Sequence, residues 1–222
     1  MTRILTIDGP SGSGKGTIAA LLAERLGWHV LDSGALYRLV GLVAERAGVG
    51  PEQPERLAQL ARGMQVAFRD GRVLLDGEDV SLAIRTEQAG NAASRVAAVP
   101  AVRAALLDWQ RAFAREPGLV ADGRDMGSVV FPEAGVKIFL DASPEERARR
   151  RYNQLKEKGL DANLADLVKE IRERDQRDRT RSTAPLRAPE GALTVESTAL
   201  SIEEVLERVL GRVRDTWPEL FR

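Results

Sequence analysis

The sequence predicts an α/β protein built around a central parallel β-sheet. Short apolar runs typical of buried strands recur along the chain, and stretches with helical spacing of apolar residues separate them. A glycine-rich segment joins the first run to the first helix. Strands that alternate with helices favour parallel pairing, because each helix carries the chain back across the sheet.

The composition is that of a globular protein with one large domain, or one domain with an insertion. The chain has 222 residues, 43% apolar and 30% charged. It contains no apolar run near the roughly 18 residues of a membrane helix, and its N-terminus lacks the apolar core of a secretory signal. We therefore expect a cytoplasmic protein with no membrane partner.

The charge balance and the scarcity of certain residue types exclude several classes of function. Thirty-three basic residues balance 33 acidic ones, and only 5% of residues are aromatic. Neither feature is typical of a nucleic-acid-binding surface, so we expect no nucleic-acid partner. The chain has no Cys and a single His, which excludes disulfides, thiolate chemistry and His-rich metal sites.

The first elements are predicted as strand, loop, helix and strand. Arg3–Asp8 is a buried-type strand, and Thr17–Leu26 has helical apolar spacing with Gly27 placed to end the helix. Trp28–Asp32 is a second short strand. Ser33 then stands where it could cap the next helix.

The pattern changes from Gly48 onward and predicts an insertion. Glu55–Arg62 is a short helix, and Met64–Phe68 with Arg72–Leu75 forms a hairpin that turns at Asp70-Gly71. The insertion should therefore contain a small antiparallel sheet.

The parallel-sheet pattern resumes in the second half. Two helices, Thr86–Ala97 and Pro100–Arg115, precede strands at Leu119–Asp122, Val136–Asp141 and Leu193–Glu196. Two more helices are predicted from their start signals. One begins at Ser143-Pro144, and the other has the capping box of Ser201 and Glu204.

The glycine-rich segment has the GxxxxGK pattern of a P-loop and lies between a predicted strand and a predicted helix. Its backbone N–H groups and the helix N-terminus favour an anion, and the lysine side chain reaches the β- and γ-phosphates. The ATP-binding residues predicted here are Gly9, Pro10, Ser11, Gly12, Ser13, Gly14, Lys15, Gly16 and Thr17, and Lys15 is also predicted to be catalytic. Gly16 replaces the usual Ser or Thr metal ligand, so Thr17 is expected to contact phosphate and the loop to bind no metal directly.

Two arginine-containing segments are further candidates for phosphate binding. Residues 145–181 carry nine arginines, which suit bidentate recognition of phosphate oxygens, although nine acids in the same segment also fit a solvated helix with internal ion pairs. The segment Asp122–Gly127 follows a predicted strand, where parallel sheets bind their ligands. It combines Arg124 with two carboxylates.

Together these motifs resemble the bacterial cytidylate kinases from residue 4 to about residue 205. The elements that carry the resemblance are GPSGSGKGT, LDSGALYR from Leu31, NAAS from Asn91, DGRDMG from Asp122, VVFP from Val129, KIFLDA from Lys137 and the Arg–Asp run from Arg174 to Arg181.

The resemblance implies ATP-dependent phosphorylation of CMP and dCMP to CDP and dCDP by in-line transfer of the γ-phosphate, with Mg²⁺ held mainly through the ATP phosphates and water. It implies that Ser33, Arg38, Arg124 and Arg181 hold the CMP phosphate, that Ser94, Arg103 and Asp125 contact cytosine, and that Arg174 and Asp178 meet the ribose. Arg147, Arg150 and Arg151 become lid residues over the transferring phosphoryl group. Arg147 is also assigned to ATP, and Arg124, Arg150, Arg151 and Arg181 to catalysis.

The resemblance also implies the architecture and the partners. It predicts a three-layer P-loop kinase core at about 1–47, 86–142 and 182–222, an NMP-binding insertion at about 48–85 and a helical lid at about 143–181. ATP, CMP and dCMP are the expected partners of a monomer. The alternatives are an adenylate or thymidylate kinase, or a P-loop nucleotide-binding regulator without catalysis.

Overall fold

The computed structural model describes residues 2–69, 71–157 and 159–221. The chain divides into two compact units, the first formed by Met1–Leu31 with Phe113–Arg222 and the second by Asp32–Ala112. In the part of the chain described, no helix is both long and apolar enough to cross a membrane.

The regular elements alternate as the sequence predicts. The strands are β1 (Arg3–Asp8), β2 (His29–Asp32), β3 (Val66–Arg69), β4 (Arg72–Leu75), β5 (Glu78–Asp79), β6 (Gly118–Gly123), β7 (Val136–Asp141) and β8 (Leu193–Glu196). The α-helices are α1 (Lys15–Leu26), α2 (Ser33–Arg46), α3 (Pro54–Gly63), α4 (Glu87–Val96), α5 (Pro100–Arg111), α6 (Pro144–Glu157), α7 (Leu164–Thr180) and α8 (Ile202–Thr216). Short 3-10 helices lie at Ala83–Arg85 and Pro218–Phe221, and a π-helical turn at Met126–Val130.

The first unit contains a five-stranded sheet in the order β2-β6-β1-β7-β8. Strand β1 pairs in parallel with β6 and β7, and β7 pairs in parallel with β8. The register places Asp8 opposite Gly123, so the ends of β1 and β6 lie side by side. The predicted central parallel sheet is confirmed.

Helices bury the strands of this sheet, which explains their continuous apolar sequences. Leu5 and Ile7 of β1 are fully buried in one cluster with Leu22 of α1 and Val209 of α8. A strand covered on both faces needs no polar face, as in β6, which is buried at every residue.

The second unit contains a three-stranded antiparallel sheet in the order β3-β4-β5. Its β3 and β4 form the predicted hairpin, with Phe68 opposite Val73. The turn residue Asp70 lies outside the residues that the structure describes, as does Lys158 of the predicted lid. The sequence did not predict β5, because a two-residue strand has no detectable periodicity.

Some predicted helix boundaries are wrong by a few residues. Helix α1 begins at Lys15, since Gly14 already occupies the N-cap. Asp32, and not Ser33, caps α2, because its Oδ1 accepts a hydrogen bond from the Ala35 N–H at 2.9 Å. Helix α5 ends at Arg111 rather than Arg115, where the Ala112 N–H donates back to the Asp108 carbonyl. The predicted capping box of α8 is confirmed.

Candidate active site

The glycine-rich loop connects β1 to α1 in a conformation suited to an anion. Gly12 and Gly14 have φ angles of 77° and 91°, which L-residues with a side chain rarely adopt. Gly14 stands at the N-cap of α1, where the first amides of the helix lack intrahelical acceptors. The nine predicted ATP-binding residues of the loop are thus brought together at a helix N-terminus, the geometry that binds phosphate.

Two side chains of the loop fit the same role. Lys15 is 9% exposed, and its Nζ donates to the Pro10 carbonyl at 3.1 Å, which folds the ammonium group back over the loop. The Ser13 Oγ is buried and has no hydrogen-bond partner among the residues described. An unsatisfied buried hydroxyl is costly, and a bound phosphate oxygen would accept its proton.

The start of the loop is fitted tightly against the neighbouring strands. The Gly9 N–H donates to the Gly123 carbonyl of β6 at 3.3 Å. A Cβ on Gly9 would lie 2.1 Å from the Leu140 carbonyl oxygen of β7, so only glycine fits here without a backbone shift.

Arg147 of α6 supports the loop from inside the first unit. Its side chain is 1% exposed, and its Nη1 donates to the Ser11 carbonyl at 2.9 Å. Its Nε donates to the Ala142 carbonyl at 2.9 Å, and the guanidinium forms a two-pronged ion pair with Asp175 of α7. Arg147 therefore links the phosphate loop to α7, and its predicted contact with ATP stays a prediction.

Arg150 also reaches the loop from α6. Its Nη1 donates to the Ser13 carbonyl at 3.3 Å and its Nη2 to the Ser197 carbonyl at 2.6 Å, while its Nε donates to Glu146. Arg151, the third predicted lid residue, donates from Nη1 to Gln154 at 3.5 Å. Arg150 thus connects α6 to the loop through a hydrogen bond.

The segment after β6 is held by a carboxylate that sequence analysis did not select. The Oδ1 of Asp8 accepts a hydrogen bond from the Met126 N–H at 2.7 Å, and its Oδ2 accepts one from the Gly127 N–H at 2.8 Å. Asp8 is the last residue of β1, immediately before the phosphate loop. It thereby connects that loop to the segment that carries Arg124 and Asp125.

Burial raises the pKa of Asp8 from its ordinary value of 3.8 to about 7. The two backbone hydrogen bonds and the positive charge of Lys15 lower this pKa, whereas the negative charge of Asp125 raises it further. Between these two pH values the folded state holds a proton that the unfolded chain has lost. The contribution of Asp8 to folding stability therefore falls as the pH rises from 3.8 to about 7.

Two ion pairs connect the segment after β6 to the end of α7. Arg124 Nε lies 3.0 Å from Asp178 Oδ2, with side chains 14% and 4% exposed. Arg181 Nη2 lies 4.0 Å from Asp125 Oδ1, and Arg181 Nε donates to the Ala184 carbonyl at 2.7 Å. Arg174, on the same helix, is 9% exposed. The structure thus groups the five predicted CMP-binding residues of the first unit in one region.

The other four predicted CMP-binding residues belong to the second unit. Ser33 is the first residue of α2 and Ser94 lies on α4, and both are buried. Arg38 of α2 donates from Nη1 to the Ile84 carbonyl at 2.8 Å.

Arg103 of α5 is also buried in the second unit. Its guanidinium lies over the Tyr37 ring, 5.5 Å from the ring centroid, and its Nη1 donates to the Ala97 carbonyl at 3.1 Å. These contacts hold its planar group in one orientation.

The side chains near the loop fit a magnesium ion that takes most of its ligands from phosphate and water. Asp122 is buried at the end of β6, and its Oδ2 lies 3.5 Å from the position that a Cβ on Gly16 would take. Within residues 2–69, 71–157 and 159–221, no cluster of three or more acidic or His side chains could hold a metal. Mg²⁺ commonly binds through one or two carboxylates together with phosphates and water, and Asp122 could supply the carboxylate.

Asp8 and Asp175 also position other site residues, and neither was predicted from the sequence. The position of Asp8 was a signal in the sequence. An acidic residue between a buried strand and a P-loop is expected to be buried with the strand. Asp175 stands among alternating Arg and Asp residues, and nothing in that pattern distinguishes it from its neighbours.

Known proteins with similar sequences point to one family. The profile of the cytidylate kinase family matches residues 5–215. A cytidylate kinase of Aeromonas hydrophila is 60% identical over 214 residues, which cover 95% of this chain and 93% of that protein. A cytidylate kinase of Stutzerimonas stutzeri is 60% identical over 218 residues, covering 96% and 95%. The crystal structure of an uncharacterized protein from Eubacterium ventriosum superposes with a TM-score of 0.52 at 11% identity, covering 96% and 98% of the two chains, which supports the fold alone. The chain therefore belongs to the cytidylate kinase family.

Proposed function

We propose that this protein transfers the γ-phosphate of ATP to CMP and dCMP, giving ADP with CDP or dCDP. The observation that carries the proposal is the arrangement in the first unit. A phosphate loop with Lys15 is joined through Asp8 to a segment whose Arg124 and Asp125 lie near Asp178 and Arg181 of the α7 region. Family membership supports cytidine monophosphates as the acceptors.

The reaction requires positive charge and alignment more than acid–base catalysis. A monophosphate acceptor is already an anion, so no general base has to activate it. Negative charge in the transition state lies on the phosphoryl oxygens, where the amides of the loop and the ammonium of Lys15 would bind. Arg124 and Arg181 would hold the acceptor phosphate in line with the γ-phosphate, each oriented in advance by a carboxylate partner.

Mg²⁺ belongs to the same proposal, and Asp122 would hold it. When bound, the ion neutralises charge on the β- and γ-phosphate oxygens. The remaining ligands would be those oxygens and water. Gly16, which has no side chain, leaves the space beside the Asp122 carboxylate open.

The remaining assignments rest on the resemblance. Ser33 and Arg38 are proposed to hold the CMP phosphate, Ser94 and Arg103 to contact cytosine, and Arg174 and Asp178 to meet the ribose. Arg147, Arg150 and Arg151 are proposed to belong to a lid at about 143–181 that excludes water during transfer. Residues 48–85 are the proposed NMP-binding insertion. We also propose a cytoplasmic monomer that requires neither nucleic acid nor a membrane.

The two alternative functions are not favoured. An adenylate or thymidylate kinase would share the phosphate loop, but the family match is to cytidylate kinase across residues 5–215. A regulator without catalysis would not require the buried arginines that lie around the candidate acceptor site.

A coupled assay of ADP release tests the proposed function. ATP and Mg²⁺ are supplied with CMP, dCMP, UMP, AMP or dTMP, and one reaction contains no acceptor. We expect the highest kcat/KM with CMP and dCMP and little ADP without an acceptor. Release of ADP at the same rate without an acceptor, or preference for AMP or dTMP, would reject the cytidine assignment.

The Asp125→Asn variant is expected to lose base selectivity. The substitution keeps the volume of the buried side chain but removes the negative charge near Arg181. We expect kcat/KM for CMP to fall about tenfold or more, because a buried group that hydrogen-bonds the base is replaced. The site should then also distinguish CMP from UMP less well. The CMP to UMP ratio of kcat/KM measures the effect, and an unchanged ratio would remove Asp125 from cytosine recognition. Asp215→Asn, on α8, is the control.

A further inference from the structure

Asp8 occupies an unusual position for an aspartate. It is fully buried at the end of a central strand, and both of its carboxylate oxygens accept hydrogen bonds from consecutive backbone amides. Those amides, of Met126 and Gly127, begin the π-helical turn Met126–Val130. The proposed chemistry does not use Asp8, because its carboxylate is turned toward the backbone of this segment.

We propose that Asp8 is a positioning residue for the phosphate acceptor, which it serves by fixing the segment that carries Arg124 and Asp125. The inference rests on the proposed function, and it adds a residue that contacts no substrate. Its basis is the pair of hydrogen bonds at 2.7 and 2.8 Å, directly after Asp125 in the chain.

Arg124 and Asp125 are joined through the backbone to the segment that Asp8 holds. A change at Asp8 should therefore affect mainly the side of the site that binds the phosphate acceptor. Asp125 directly precedes Met126, so a shift of the Met126 amide moves the backbone that places the Asp125 carboxylate and its contact with Arg181. Arg124 is one residue further back and depends on the same backbone for its ion pair with Asp178. Displacements of about 1 Å in such groups are enough to weaken substrate alignment strongly.

The donor side has separate supports. The phosphate loop is held by the Gly9 N–H on Gly123, and by Arg147 and Arg150 on the carbonyls of Ser11 and Ser13. None of these bonds involves the Asp8 side chain. Lys15 of the loop interacts with Asp8 through its charge, so Asp8→Asn should affect the donor side to a smaller extent. The hydrogen bonds that the substitution changes lie on the acceptor side, and we expect the larger effect there.

The Asp8→Asn variant tests the proposal. Asparagine has the same size, but it offers one acceptor oxygen and turns an NH₂ group toward the second backbone N–H. We expect the KM for CMP to rise about tenfold or more, with the KM for ATP changed less than twofold. The matched control is Asp141→Asn, because Asp141 ends the neighbouring strand β7 and accepts hydrogen bonds from Ala142 and Arg179 instead.

The two Michaelis constants separate positioning from a general loss of structure. A variant with less folded protein would lose kcat and melt at a lower temperature with both constants unchanged, and that result would overturn the proposal. An equal rise in both constants would overturn it as well. A CMP-specific rise that is absent in Asp141→Asn would support it.

Amide hydrogen exchange of the wild-type protein tests the proposal even if Asp8→Asn does not fold. In the wild-type protein, the amides of Met126 and Gly127 should exchange at least tenfold more slowly than amides without an acceptor. Fast exchange of both would overturn the positioning role. If the wild-type protein did not phosphorylate CMP, the proposed function would fail, while slow exchange would still agree with hydrogen bonds from these two amides to Asp8.

Discussion

Replacing Lys15 with alanine is expected to lower kcat about a hundredfold or more while the protein stays folded. The ammonium group lies at the phosphate loop, and removal of one preorganised donor to transition-state charge costs about 10²–10³ in rate. The contacts that the substitution removes include the hydrogen bond from Nζ to the Pro10 carbonyl, worth about 1 kcal/mol of stability. Steady-state kinetics with CMP and a thermal melt measure the two effects.

The exposed Lys169 on α7 provides the control for this experiment. Lys169→Ala removes the same charge from the same protein at a distance in sequence from the loop, and it should leave kcat within twofold. Near-normal turnover by Lys15→Ala would reject the assignment of Lys15 to phosphoryl transfer. A large loss accompanied by unfolding would give Lys15 a structural role instead.

Replacing Asp175 with alanine is expected to destabilise the protein by about 3–5 kcal/mol. Arg147 is 1% exposed, and Asp175 neutralises its guanidinium by accepting from both terminal nitrogens. Without Asp175 the positive charge stays buried beside the carbonyls of Ala142 and Ser11, which do not neutralise it. Unfolding in guanidinium chloride, followed by circular dichroism, measures the change in free energy.

The same two helices provide a matched control. Glu145 of α6 pairs with Arg172 of α7, with side chains 56% and 62% exposed. Solvent screens such a pair, so Glu145→Ala should leave the unfolding midpoint nearly unchanged. Equal destabilisation by the two variants would contradict the view that burial makes the Arg147–Asp175 pair the important contact between α6 and α7.

The parts of the fold that sequence predicted well depend on local patterns. Apolar runs and their boundaries identified β1, β4, β7 and β8, and the Ser201–Glu204 capping box fixed the start of α8. The phosphate loop was recognisable because its glycines, its lysine and its flanking elements are contiguous. Each of these signals lies within about ten residues of the feature that it predicts.

The features that were missed depend on contacts between distant residues. Asp8 accepts hydrogen bonds from amides 118 and 119 positions away, and Arg147 is neutralised by a residue 28 positions away. No local sequence pattern shows that residues so far apart in the chain will be in contact. The choice between Asp32 and Ser33 as the cap of α2 was a different problem, because both residue types are good caps and only the backbone conformation decides.

The most direct test of the account is a single measurement of products. Purified protein is incubated with ATP, Mg²⁺ and CMP, and ³¹P NMR follows the nucleotides with time. We expect ADP and CDP to appear in equal amounts, and both to form at least about a hundredfold more slowly with Lys15→Ala. Inorganic phosphate in place of CDP would show hydrolysis without transfer, and that result would contradict the central claim.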